Sequence, residues 1–249
     1  MADNLYQKHW DHFVKSHKTR KGALPGDEWG NTESWDRIFR NLFVTHGAVS
    51  TWQRSIEIGA GSGKYTVKVL QSSNAEILAA DVSSKFQEVM CKNLRDHSLD
   101  SRVKPVIVEN RAGHLLDEID DMGWSGCVDA VYSIDAMVHV DVQHLIVYLM
   151  TASICLNPGG KLIMTLADCT TGRGFDKMLR EASNCFARQG LHTGKFEYIS
   201  PDIVESILPK IGFDIVFSNY RANADRRDIS LVAEKRGDFD SEQLFKYLK

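Results

Sequence analysis

The stretch Ser55-Ile56-Glu57-Ile58-Gly59-Ala60-Gly61-Ser62-Gly63-Lys64-Tyr65 carries the strongest chemical signal in the chain. An apolar run leads into a turn of alternating glycines, and a helical pattern opens behind it. Glycine reaches positive φ without a Cβ penalty and lets a ligand approach the main chain. The N–H groups at the helix start favour a polar or anionic ligand group. Asp81 follows Gly61 by twenty residues and closes the second apolar run. A carboxylate there can accept both hydroxyls of a ribose. Glu57 is an acid inside an apolar strand, and it costs stability unless it bonds the turn or a ligand amine. A dinucleotide fingerprint needs its third glycine at position 64, which is Lys64. The same residues also admit a plain tight turn with Asp81 as a solvated cap.

A second group lies in Ser133-Ile134-Asp135-Ala136-Met137-Val138-His139-Val140-Asp141. His139 is expected to titrate near neutrality and to serve as a general base, or else to shape the pocket. Asp135 is a candidate to contact a cofactor or position an acceptor. Asp141 either orients His139 or caps the next helix. Asp168, at the end of the fifth strand, is a candidate for substrate or metal contact, or a turn residue. Asp135 and Asp168 could share a divalent ion with one more carboxylate, but no ligand cluster calls for a metal.

These residues need a scaffold, and apolar runs alternating with helical patterns from Arg54 onward describe βα units around a parallel sheet. Strands are expected at Arg54–Ile58, Ile77–Ala80, Val103–Val108, Val128–Ser133 and Lys161–Ala167. Two more are expected at Phe213–Asn219 and Ile229–Ala233. Helices fall near Tyr65–Gln71, around Phe86–Leu94 and Val142–Leu156, around Phe175–Gln189, and over Pro201–Lys210. Asn157-Pro158-Gly159-Gly160 should end one helix and turn into the fifth strand. The link with Ala224, Asp225, Arg226 and Arg227 has no helix-length pattern, so the last two strands should be antiparallel.

From Trp52 to Lys235 the chain resembles the class I S-adenosylmethionine-dependent methyltransferases. The likeness is carried by Glu57–Gly63, Asp81, Asp129–Asp135, Asn157–Gly160 and Gly212-Phe213. It implies an α/β fold: a doubly wound, seven-stranded, mostly parallel sheet with an antiparallel last strand. It also implies S-adenosylmethionine as cofactor. Gly59, Ala60, Gly61 and Gly63 would lie against its methionine part, with Glu57 beneath. Asp81 would hold the ribose, with Val82 beside it. Asn110 or Arg111 would meet the adenine, although many members have aspartate at the position of Asn110. Asp135 would complete the cofactor wall.

The first 50 residues are polar and aromatic, and we expect a helical lid there over a core of residues 51–249. Tyr6, Trp10, Phe13 and Val14 make a stripe at helical spacing. Tyr6 and Trp10 either close over the cofactor or simply pack on the core, and the same choice holds for Trp29 and Trp35. Leu24-Pro25-Gly26-Asp27-Glu28-Trp29-Gly30 resembles a stretch that precedes the core in some small-molecule members. Lys15-Ser16-His17-Lys18-Thr19-Arg20-Lys21 is a local basic run: a solvated loop, or a seat for an acidic acceptor.

Composition limits the partners. The chain has 249 residues, 43% hydrophobic and 25% charged, with a formal net charge of −3. No basic stripe interleaved with aromatics favours nucleic acid. No run reaches the roughly 20 apolar residues of a membrane span. Cys91, Cys127, Cys155, Cys169 and Cys185 have no metal or redox spacing, and they fit a reducing, cytoplasmic setting.

The expected activity is methyl transfer to a small-molecule acceptor, most readily a hydroxyl oxygen, as in natural-product biosynthesis. The alternatives are methylation of an amine or of a macromolecule (RNA or protein), a nicotinamide-dependent oxidoreductase, and a non-catalytic binding module. The strand-four loop lacks the Asn/Asp-Pro-Pro-Tyr-like stretch of nucleobase amino-methylating enzymes.

Overall fold

The first apolar run forms a strand because its turn residues stop it and both its faces are covered. In the computed structural model β1 is Arg54–Ile58, β2 is Glu76–Asp81 and β4 is Val128–Ser133, all buried at nearly every position. Central parallel strands need such cover. The structure describes residues 5–17, 23–187, 194–221 and 226–248. Positions 18–21 of the basic run, Ala224 and Asp225 lie outside the described residues, and so does the side chain of Cys185.

The sheet order is β3-β2-β1-β4-β5-β8-β7, with β3 at Val103–Ile107, β5 at Leu156–Asp168, β7 at Phe213–Ser218 and β8 at Asp228–Lys235. β8 runs antiparallel to both β5 and β7, and the first five strands are parallel. A two-residue β6, Tyr198–Ile199, pairs with the end of β5 and makes eight strands where seven were expected. The order reverses between β1 and β4, and the crevice outside their carboxyl ends is where open α/β sheets place ligands.

Helices cover both faces. On one side lie α3 (Lys64–Ser72) and α4 (Ser84–Asp96), together with a π-helical turn at Phe39–His46 that continues α2 (Thr32–Ile38). Their core holds Leu42, Phe43, Trp52, Leu70, Met90 and Tyr132. Trp52 is buried, and its indole N–H donates to the Gly47 carbonyl at 2.9 Å. Burying each such side chain contributes about 1.5–3 kcal/mol. On the other side, α5 (His114–Asp121), α6 (Val142–Cys155) and α8 (Pro201–Ile207) close over Ile56, Leu78, Val131 and Leu162. α7 is Gly172–Ala187, and α1, Leu5–Ser16, lies across α4.

Two local expectations change. The sequence shows no helical pattern between β3 and β4, yet α5 is there: its eight residues include four acids and bury only Leu115, Leu116 and Ile119, too few to declare a period. Asn157–Gly160 does not simply precede the fifth strand but bulges inside it. Val128 pairs with Leu156 and Ala130 with Lys161, with Gly159 at φ 81. Asn157 steadies this bulge by donating to Asp129 at 2.9 Å. Asp141 is the cap of α6, accepting from the Gln143 and His144 amides at 3.0 Å each.

Candidate active site

The glycine turn between β1 and α3 is pinned from beneath. The Gly59 and Ala60 amides both donate to the Ala80 carbonyl, at 2.8 and 3.2 Å. Gly59, Gly61 and Gly63 take φ values of 76, 54 and 80, in the left-handed region. A Cβ on Gly59 would collide with Ala136, so the turn presses against the loop after β4. On Gly61 it would meet only Phe86, at 3.9 Å, which leaves that side of the turn open.

Asp81 reaches back to this turn. Its carboxylate accepts from the Gly61 amide at 2.8 Å on one oxygen and from the Ser83 amide at 2.8 Å on the other. Burial pushes it up to about 6, against the pull of those amides. Each carboxylate oxygen keeps a lone pair for a further donor. Glu57 is buried one residue before the end of β1. It accepts from the Thr66 hydroxyl at 2.5 Å and from Tyr132 at 3.2 Å, and these bonds offset the cost of placing an acid there. Burial pushes its carboxyl up to about 8.

One cavity of about 400 Å³ joins these groups, within the size range of small-molecule sites. Glu57, Gly59, Ala60, Gly61, Asp81 and Val82 line it. So do Asn110 and Arg111 after β3, and Asp135 and His139 after β4. Tyr6, Trp10 and Trp29 line it as well. Gly63 is not part of the lining; it starts α3 with a Cβ position against Met90.

The β4 loop is set by its own bonds. Asp135 stands at φ 59, with its amide donating to Thr165 at 2.8 Å. Burial and then Asp228 raise its carboxyl, while Arg227, 4.0 Å away, and Lys64 pull it down. His139 closes a 3-10 turn, Met137–His139. Its Nδ1 lies 2.9 Å from the Lys195 carbonyl oxygen, which can only accept, so Nδ1 carries the proton and Nε2 is the acceptor. Trp10 and Phe196 meet the ring edge-on at 5.0 and 5.1 Å. Burial takes the imidazole down to about 4, so His139 does not titrate near neutrality as expected from its type.

Asp168 corrects a second expectation. It does not face the cavity rim. It is fully buried in an ion pair with Arg226 at 2.7 Å, and it accepts from the Thr170 amide and hydroxyl at 2.7 Å each. Among the described residues no cluster of His, Cys, Asp or Glu could hold a metal ion.

Sequence reasoning missed Lys64. Its ammonium donates to the Gly26 carbonyl at 2.7 Å, pairs with Asp27 at 3.0 Å and sits 3.6 Å above Trp35. Ser62 donates to the Pro25 carbonyl. Together they fasten the Leu24–Gly30 stretch onto the glycine turn, and Trp29 then packs edge-on to Trp10 at 6.0 Å. The available signal was the position of a lysine directly behind the turn, where the helix dipole disfavours a cation. Asp11 was missed too: it accepts from Ser83 at 2.6 Å and from the Lys85 amide at 3.1 Å, seating α1 on the start of α4.

This mostly parallel sheet with its antiparallel β8 matches the Rossmann-like methyltransferase fold. No family model matches the chain, and no curated protein matches it significantly. Solved structures do. The chain is similar to phosphoethanolamine N-methyltransferase 2 of Haemonchus contortus, solved with phosphomonomethylethanolamine and S-adenosylhomocysteine: 15% identity, TM-score 0.62, covering 91% of this chain and 60% of that one. It is similar to geranyl diphosphate C-methyltransferase of Streptomyces coelicolor, with 11% identity, TM-score 0.61, and 94% and 100% covered. It is also similar to the cyclase SpnF, with 13% identity, TM-score 0.61, and 88% and 85% covered. The chain thus spans about three fifths of the first of these proteins. A cyclase among them means that chemistry must be argued from the site, not from the fold.

Proposed function

We propose that the protein is an S-adenosylmethionine-dependent methyltransferase acting on a small-molecule acceptor. The observation that carries this reading is the Asp81 carboxylate fastened to the Gly61 amide at 2.8 Å, beside the open side of the turn. A nucleoside fits that arrangement: Asp81 keeps lone pairs for a ribose diol, and the turn has no Cβ to repel a chain lying on it. Glu57 offers a buried carboxyl to an ammonium group. Asn110 and Arg111 would meet the adenine, with Val82 and Asp135 completing the wall.

Bound here, S-adenosylmethionine would supply an activated methyl group on its sulfonium. The residues of this chain bind, align and exclude water. Alignment alone is worth roughly 7–11 kcal/mol. Tyr6, Trp10 and Trp29 line the cavity and would serve as its lid, whereas Leu42 and Phe43 are buried in the core, so the first 50 residues do not all belong to a lid over residues 51–249. His139 lines the cavity, burial keeps it neutral at pH 7, and its Nε2, the acceptor nitrogen, would take a hydroxyl proton. This favours oxygen as the methylated atom over nitrogen or carbon. No helix among the described residues is long and apolar enough to cross a membrane, and the free thiols of Cys91, Cys127, Cys155 and Cys169 suit work in the cytoplasm.

Thermal denaturation with S-adenosylhomocysteine and with NADH tests the reading. A rise in melting temperature with the first ligand only is expected. A rise with NADH only would make the protein a nicotinamide enzyme. Incubating cell extract with methyl-labelled cofactor, followed by mass spectrometry, identifies the acceptor.

A further inference from the structure

The helix α1 buries none of its twelve residues, so its place beside the cavity needs another hold. Its aromatic side chains give contact: Phe13 stacks on Phe86 at 6.0 Å and tilts against Trp29 at 5.1 Å. Such contacts let a helix slide on its neighbour. Asp11 supplies bonds with direction. One carboxylate oxygen accepts from the Ser83 hydroxyl at 2.6 Å and from the Lys85 amide at 3.1 Å, and the other from the Ser84 hydroxyl at 3.3 Å. These donors lie at the first turn of α4, where the helix dipole favours an anion. Against the upward push of burial, these bonds and the charge of Lys15 hold the Asp11 carboxyl below the usual carboxylate range. The Lys85 ammonium turns instead to Glu88. Trp10 precedes Asp11 in the chain. Successive helical residues point about 100° apart, so α1 can give Asp11 to α4 and Trp10 to the cavity. There Trp10 meets the His139 ring edge-on at 5.0 Å.

We infer that Asp11 is a positioning residue: its bonds to the start of α4 hold Trp10 against His139 and keep water from that ring. The inference deepens the proposed role of His139 as base and rests on it. A base works only while it carries no proton, and access of water favours the imidazolium. Without Asp11, α1 keeps its aromatic contacts but loses its register on α4, and His139 is solvated from the Trp10 side. The sign separates position from charge. Loss of an anion alone weakens the imidazolium and moves its midpoint down, whereas solvation moves it up. The groups acting on the ring are Glu181 and Lys177 of α7, His9 of α1 and the Lys195 carbonyl, and substituting Asp11 removes none of them. His9 rides on α1, so its withdrawal acts in the same direction as solvation. Trp10→Ala leaves His9 in place and isolates the cover on the ring.

Proton NMR of the His139 ring, assigned by its loss in His139→Ala, tests this on the full chain from about pH 8 to about pH 5, the range in which a solvated histidine titrates. No ligand enters the titration, so its outcome is separate from the methyltransferase reading, which stands or falls on S-adenosylhomocysteine binding. Wild type is expected to keep the neutral shift throughout, because burial takes the folded value to about 4. Asp11→Ala is expected to raise the midpoint by about one pH unit or more, which brings protonation into the range. Trp10→Ala should do the same. Asp11→Asn keeps an acceptor oxygen for the start of α4, where Asn and Asp serve alike, and should stay with wild type. Asp11→Ser serves if the alanine variant fails to fold. A neutral shift throughout in Asp11→Ala or in Trp10→Ala overturns the inference. So does an Asp11→Asn that titrates like Asp11→Ala, or a wild type that protonates near the ordinary 6.5.

Discussion

The Gly61 amide and the Asp81 carboxylate are joined at 2.8 Å across twenty residues of sequence. This bond ties the glycine turn after β1 to the end of β2, where Asp81 lines the cavity. Everything proposed for the site depends on that geometry. The buried groups around it respond to pH and substitution in ways that differ by residue.

Burial pushes the Glu57 carboxyl up to about 8 in the fold, against an ordinary 4.5. Between those values the folded state holds a proton that the unfolded chain has released, so stability falls as pH rises through this window. Burial places Asp81, at about 6, in the same direction. Glu57→Gln removes the first contribution. Urea midpoints from pH 5 to pH 8 should fall more steeply for wild type than for Glu57→Gln. Parallel curves would mean that Glu57 is ionised throughout.

His139 has the opposite sign. Its folded value, about 4, lies below the ordinary 6.5. The unfolded chain takes up a proton near 6.5 that the fold refuses, so this contribution to stability is lost as pH falls from 6.5 toward 4. As a base it is unprotonated across the whole neutral range. The acid limb of kcat/KM should therefore fall near 4 and not near 6.5. His139→Ala should lower kcat by roughly 10²–10⁴-fold while S-adenosylhomocysteine affinity stays constant. Wild-type turnover in that variant would remove His139 from the chemistry.

Asp168 and Arg226 form a buried pair, and removing one partner strands the other charge. Arg226→Ala should cost about 3–5 kcal/mol of unfolding free energy. Denaturant unfolding measures it. A change below 1 kcal/mol would mean that the carboxylate is solvated after all.

Much of the frame was legible because its signals are local. The bounds of β1 and β4 follow from apolar runs stopped by turn residues, and the glycine turn with Asp81 follows from short spacing. Other features hide because they are tertiary. Asp168 meets Arg226 and His139 meets Lys195 only after the chain has crossed the sheet and returned. Nothing near His139 in sequence announces Trp10 and Phe196 on its ring, so its shifted titration was invisible. Lys64 was read only as a missing glycine, since its partners Gly26 and Asp27 belong to a stretch that has no strand or helix period.

Calorimetric titration of wild type and Asp81→Ala with S-adenosylhomocysteine probes the ribose clasp directly. The account predicts binding by wild type and a loss of about 1.5–3 kcal/mol in the variant, one to two powers of ten in Kd. An unchanged Kd would contradict it.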